Sequence, residues 1–200
     1  MFDTIPTDDI IEKTAAALNA NGIETFVVTN QAEAKKKLFE IIPLGAQIMN
    51  NSSLTMDTIG ATEEILNSGK YQPVRPQLMD KNTTPHEKLV LGATSDWTTG
   101  SVHAVTEDGT LMIASATGSQ LPSEANGSPN VVFVVGAQKI VKDQPEGFRR
   151  IYEHSLPLES IRANKAYNIT TGSFVAKVLI LNRERPGRLH LILVKEVLGF

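Results

Sequence analysis

The chain has 200 residues, 41% of them hydrophobic and 20% charged, with a formal net charge of -3 and no cysteine. A globular chain of this length buries roughly 70% of its unfolded surface and needs no metal or disulfide staple. Its mild acidity gives no electrostatic case for nucleic acid or an anionic membrane as a main partner. The missing cysteine removes disulfides, cysteine-ligated clusters, thiolate zinc sites and cysteine nucleophiles together.

The acidic start MFDTIPTDDIIEKT lacks the pattern of a secretory signal, and the most apolar run, Asn130–Gly136, is strand-sized rather than membrane-spanning. A cytoplasmic address is expected. Thr7, Asp8 and Asp9 can cap a first helix reaching about residue 18, with Ile10, Ile11, Thr14, Ala15 and Leu18 at helical spacing and Asn21-Gly22 as its stop. Residues 25–29 (TFVVT) read as a buried strand because their apolar core is continuous. A helix over residues 31–41 follows, stopped by Pro43, and its Lys35, Lys36 and Lys37 point three ways around it, as a solvated face does.

Residues 46–49 form the next expected strand, running into Asn50-Asn51-Ser52-Ser53 and then a helix over 54–67. Strand, helix, strand, polar loop, helix is the rhythm of a parallel sheet covered by helices. In such sheets ligands bind beyond the carboxyl ends of the strands. Asn51, Ser52, Ser53 and Thr55 occupy that position and are candidate ligand contacts. The amides of the following helix can hold an anion there, and Ser52 or Ser53 can equally serve as its cap.

Residues 71–85 carry Pro73, Pro76 and Pro85 and read as an irregular connection, with a short helix near 86–91. A polar stretch over 95–101, containing Thr99 and Gly100, leads into a hairpin. There Asp108-Gly109 stands between two apolar runs, and Gly supplies the positive φ of a tight turn. A polar loop (116–128), a strand (131–135), a helix (145–154) and a loop (157–171) come next. The apolar runs 174–181 and 189–194, joined across Pro186-Gly187, read as a closing antiparallel hairpin. One domain over residues 1–200 is the simplest parse.

No phosphate-binding loop, dinucleotide fingerprint, nucleophile elbow or H-E-x-x-H motif is present. The four histidines have no metal-ligand spacing, so no metal site is assigned, and Arg149, Arg150, Arg183, Arg185 and Arg188 read as surface cations. The remaining candidates cluster at the hairpin. Glu107 follows an apolar strand; held in a pocket, its raised pKa would suit acid–base or nucleophilic work, whereas an exposed Glu107 is only a turn residue. Thr106, Asp108, Gly109 and Thr110 surround it, and Gly118 lies in a loop able to present amides to a ligand. The expected ligand pocket lies between the loops at residues 51–55, 98–101, 107–110 and 117–119, with Glu107 partly buried and facing the Asn51–Ser53 loop.

Several segments taken in order carry a family resemblance: NSSLTMDTIG (51–60), GSVHAVTEDGTL (100–111), VVFVVGAQKIVKD (131–143), FRRI (148–151), PLESIR (157–162), ILNRERPG (180–187) and LHLILVKEVLGF (189–200). Over residues 46–200 the chain resembles the lactate-utilisation (LUD) family of LutC/YkgG-type proteins, with residues 1–45 as a lead-in. The resemblance implies an α/β fold like that of NagB, ribose isomerase and CoA transferase, a mainly parallel sheet with helices on both faces and a small antiparallel hairpin. It implies a small organic acid or phosphorylated metabolite as ligand, and iron–sulfur and flavin subunits of a lactate oxidation system as partners. Thr106-Glu107-Asp108-Gly109 is also similar to the Ser-Glu-Asn-Gly motif of CoA transferases, which makes Glu107 the expected catalytic residue of an acyl-transferase or sugar-phosphate isomerase alternative. A non-catalytic subunit of the oxidising complex is the third reading.

Two departures stand out. Where relatives carry a cysteine-rich segment, residues 164–178 read NKAYNITTGSFVAKV, so no cluster role transfers. Residues 116–129 (ATGSQLPSEANGSP) lack the basic residue many relatives place after the loop glycine, which removes a cationic anchor at that point. The cofactor, the ligand and a homo-oligomeric state are left open.

Overall fold

The computed structural model describes residues 2–168 and 170–200. Its ten strands are β1 (Glu24–Val28), β2 (Gln47–Asn50), β3 (Gln72–Pro73), β4 (Trp97–Gly100), β5 (Ala104–Thr106), β6 (Leu111–Ser115), β7 (Asn130–Gly136), β8 (Ile140–Val141), β9 (Lys177–Leu181) and β10 (Leu189–Val194). Six build a wholly parallel sheet in the order β1-β10-β7-β4-β2-β3. The other four form a smaller mixed sheet, β8-β5-β6-β9, in which the expected hairpin β5–β6 is the antiparallel centre.

The period of two along the central strands sorts the core into layers. Val131, Phe133 and Val135 of β7, with Leu189, Leu191 and Leu193 of β10, pack on helix α1 (Asp8–Ala20) and the inner face of the small sheet. Val132, Val134, Ile192 and Val194 face the other way, onto α2 (Gln31–Ile41), α3 (Leu54–Thr58) and α4 (Ala61–Asn67). Strands buried on both faces must be apolar throughout. Each such Val, Leu, Ile or Phe contributes roughly 1.5–3 kcal/mol of transfer free energy as an upper estimate. The outer face of the small sheet is covered by α7 (Gln144–Arg150), which continues through a π turn (Ile151–Ser155) into α8 (Leu156–Tyr167). Helices α5 (Arg75–Met79) and α6 (Pro85–Ala93) follow the edge strand β3. No helix among the described residues is long and apolar enough to cross a membrane.

Four sequence expectations are corrected. The runs 174–181 and 189–194 do not pair with each other: β9 is an edge strand antiparallel to β6, while β10 is inserted between β1 and β7. The reason is burial. β10 is apolar on both faces, whereas β9 is mostly half-exposed. Residues 157–171, expected as a loop, begin as helix α8, because the π turn Ile151–Ser155 carries the helical run of α7 straight into it, with Pro157 in the first turn after the π turn. The polar stretch 95–101 contains β4, whose buried hydroxyls satisfy one another: Thr98 Oγ1 lies 2.7 Å from Ser128 Oγ, and Thr99 Oγ1 donates to Asn50 Oδ1 at 3.0 Å. The helix over 54–67 breaks at Gly60, whose φ of +68° separates α3 from α4.

Candidate functional site

The carboxyl ends of β2, β4 and β7 open onto one cleft of about 750 Å³. The residues that leave those strands build its polar floor: Asn50 and Asn51 after β2, Ser101 after β4 and Lys139 after β7. The small sheet supplies one wall through Ile113, Ala114 and Ser115, and the start of α8 contributes to the same rim.

Lys139 is 2% exposed, and its Nζ donates to Thr55 Oγ1 (3.2 Å), Ser101 Oγ (3.1 Å) and the Val102 carbonyl (3.1 Å). All three partners are neutral. Burial, reinforced by the charge of Arg150, pulls the ammonium down to about 7. Gly199, at φ +63°, closes over this position; a side chain there would overlap Thr55 Oγ1 and approach Lys139 Nζ. The segment around it is held by Gln138 Nε2, which donates to the Leu198 (3.0 Å) and Gly199 (3.1 Å) carbonyls.

Glu124 is the acidic counterpart in the same cleft, 1% exposed, on a π turn (Ser123–Gly127) inside the loop read as irregular. Its Oε1 accepts from Asn51 Nδ2 at 2.8 Å, while Oε2 has no protein partner. Burial raises its pKa to about 8, so the carboxyl is predominantly protonated at neutral pH. The turn is fixed from below by the buried Arg188, whose Nη2 donates to the Ser123 and Glu124 carbonyls (3.0 Å each) and whose Nε donates to Ser128 O (2.9 Å). Asn50 Nδ2 and Asn51 Oδ1 are also buried without a protein partner. The floor therefore holds buried polar atoms of both kinds without a partner among the described residues.

Arg150 lies behind this floor, fully buried, donating to the His103 carbonyl and to Ser155 Oγ (3.1 Å). His103, on the cleft wall, accepts the Ala114 amide through Nδ1 (3.1 Å), and burial first, then Lys139 and Arg150, holds it neutral with a pKa of about 3. At the rim, Arg75 donates to Asn50 O (3.2 Å) and Ser52 Oγ (2.6 Å). Arg150 and Arg188, expected on the surface, are both interior.

Of the sequence candidates, Asn51, Ser52, Ser53 and Thr55 line the cleft. Ser53 also caps α3, accepting from the Met56 amide, and Thr55 donates to Leu198 O at 3.2 Å. Thr99 and Gly100 lie behind the lining: Thr99 is bonded to Asn50, and Gly100 packs beside the Asn51–Glu124 pair. Gly118 sits beneath Lys177 of β9, whose Nζ donates to Thr117 O (3.2 Å), so the loop that lacks its own basic residue receives one from a neighbouring strand.

Glu107 does not face the Asn51–Ser53 loop, and this corrects the expected pocket. It ion-pairs with Lys13 of α1 at 2.7 Å, its side chain 25% exposed. The rest of the turn packs on the same helix. Asn21 Nδ2 donates to the Asp108 and Gly109 carbonyls (2.9 and 3.2 Å), and a Cβ on Gly109 would come within 2.8 Å of α1 backbone. Thr106, Asp108 and Thr110 satisfy one another within the turn. A tight turn needs such local bonds, and α1 lies where a ligand was expected.

Lys139, Glu124, Arg150 and His103 were not singled out as site residues. Their one sequence signal is position: Lys139 follows the most apolar strand, where an α/β sheet presents its ligand groups.

Residues 11–194 match the family model described as the LUD domain. Among solved structures, the chain is similar to the crystal structure of a DUF162 family protein from Deinococcus radiodurans, at 13% identity and a TM-score of 0.58, over 94% of this chain and 99% of that one. Likeness at that identity is one of fold. No protein with a curated description matches the chain. With the family model spanning all but the ends of the sequence, the chain belongs to the LUD domain family.

Proposed function

We propose that the chain binds a small organic anion in the cleft at the carboxyl edge of the parallel sheet, as a member of an organic-acid utilisation system. The observation that carries this reading is Lys139, a buried cation lining an open cleft, whose partners among the described residues are two hydroxyls and a carbonyl. A buried charge without a counter-ion is costly, and a carboxylate or phosphate supplied by a ligand relieves that cost. The unmet atoms of Asn50, Asn51 and Glu124 add capacity for a hydroxyl or carbonyl on the same molecule. Lactate-type acids and their phosphorylated relatives share this chemistry. Acyl transfer or isomerisation through Glu107 finds less support, because that carboxylate faces Lys13 and lies outside the cleft.

Isothermal titration calorimetry with lactate, pyruvate and a phosphorylated hydroxy acid tests the reading. One of them binds, and Lys139→Met weakens it by roughly 10- to 100-fold, as loss of a charged hydrogen bond does. Unchanged affinity in that variant, or affinity lost instead in Glu107→Gln, would place the site elsewhere.

A further inference from the structure

Lys139 combines three properties that together define a nucleophile. Its backbone is fixed at the end of β7 in the centre of the parallel sheet, on the 3-10 turn Ala137–Lys139, so the amine is held in place. None of its three partners is a carboxylate, so no counter-charge among the described residues holds the proton on the amine. The charged group that acts on it is the guanidinium of Arg150, a like charge, and both that repulsion and burial favour loss of the proton. A lysine desolvated beside a second cation is the arrangement that activates amines toward carbonyl carbon.

An acid stands nearby. The Cβ position of Gly100 lies 3.7 Å from Glu124 Oε1, and the hydroxyl of the next residue, Ser101, lies 3.1 Å from Lys139 Nζ. The carboxyl and the amine thus flank two consecutive residues of one strand end, in one cleft. The buried carboxyl carries its proton at neutral pH and has one oxygen free of protein partners.

We propose that Lys139 forms an imine with the carbonyl carbon of a small 2-oxo acid bound in this cleft, with Glu124 as the proton donor. The inference rests on the anion-binding reading above and names the ligand class more narrowly: the amine that holds the carboxylate while protonated attacks the adjacent carbonyl once it has released its proton. The neutral amine attacks the carbonyl carbon, and the C=O π pair moves to oxygen, which takes a proton from Glu124. The nitrogen gives up a proton that restores the carboxyl. The resulting carbinolamine then forms C=N as its hydroxyl, protonated by the same carboxyl, leaves as water; loss of the remaining N–H proton returns that proton to Glu124. One amine and one carbonyl become one imine and one water, and nothing is oxidised or reduced.

The test uses the full chain with pyruvate and sodium cyanoborohydride, followed by intact-mass measurement and peptide mapping, with calorimetry of pyruvate and lactate in parallel. One reduced adduct per chain, mapped to Lys139, is the expected result. Lys139→Arg, which keeps a cation at the site, loses that adduct while retaining measurable lactate affinity. Glu124→Gln slows adduct formation at least tenfold at saturating pyruvate. Pyruvate binding without an adduct on Lys139, or adducts spread over surface lysines at the same level in Lys139→Arg, overturns the imine and leaves anion binding standing. Absence of an adduct, together with no binding of pyruvate, lactate or the phosphorylated hydroxy acid, removes both readings.

Discussion

Glu107 stands at a tight turn with a quarter of its side chain exposed and Lys13 beside it, whereas Glu124 is buried on a π turn with one oxygen on Asn51 and the other unpartnered. The sequence around Glu107 is the more conspicuous, since an Asp-Gly hairpin between apolar strands announces itself. The sequence around Glu124 reads as ordinary polar loop. What separates the two carboxylates is topology. The hairpin turn sits against the last turns of α1, and the loop carrying Glu124 reaches the end of the sheet where β2, β4 and β7 discharge their chains into one cleft. A motif marks local geometry, while the position of a group relative to the sheet sets its chemistry.

Three substitutions sharpen or break this contrast. The largest effect is expected from Arg188→Ala, which removes the guanidinium holding the Ser123 and Glu124 carbonyls and strands Glu184 without its partner. Loss of one member of a buried pair costs about 3–5 kcal/mol, read from the midpoint of urea unfolding. A change below about 1 kcal/mol would mean that the π turn holds its shape unaided.

Next comes the pH dependence set by Glu124. Its folded pKa, about 8, lies above the 4.5 of the free group, so the folded state retains a proton that the unfolded chain has released. Stability from this residue is fully present below pH 4.5 and is lost as pH rises toward 8. Glu124→Gln removes that decline. Its stability relative to wild type should climb by a few kcal/mol between pH 5 and 8, measured by denaturant melts at each pH. A flat difference across the window would show that the carboxyl is ionised in the fold. The smallest effect belongs to Glu107→Gln: less than about 1 kcal/mol, because its partner Lys13 is largely exposed, and no change in ligand titrations. A large loss of binding in that variant would reverse the comparison altogether.

The layered α/β plan was legible because it rests on burial: strands such as Asn130–Gly136 are apolar nearly throughout, and the helix of residues 31–41 shows its stop at Pro43. Strand β4 was not legible, because Thr98 and Thr99 look solvated until their hydroxyl partners on distant segments are known. The same holds for the site. Asn51 meets Glu124, and Lys139 meets Thr55, across long stretches of chain that no spacing rule connects. Arg150 and Arg188 escaped for the opposite reason: arginine is nearly always exposed, and here Arg188 is met by carbonyls of the Ser123–Gly127 turn, while Arg150 bonds through Nη1 to the His103 carbonyl and Ser155 Oγ.

The place of β10 carries a consequence for how the molecule is made. This strand lies between β1 and β7, and β1 has no other neighbour in the sheet. During synthesis from the N-terminus, β1 therefore waits without a partner until residues 29–188 have been added and the last strand emerges. Such long-range closure is slow and leaves an apolar edge open meanwhile. Shortening the chain before Leu189 would therefore cost two strands of the sheet rather than one, since β1 pairs with β10.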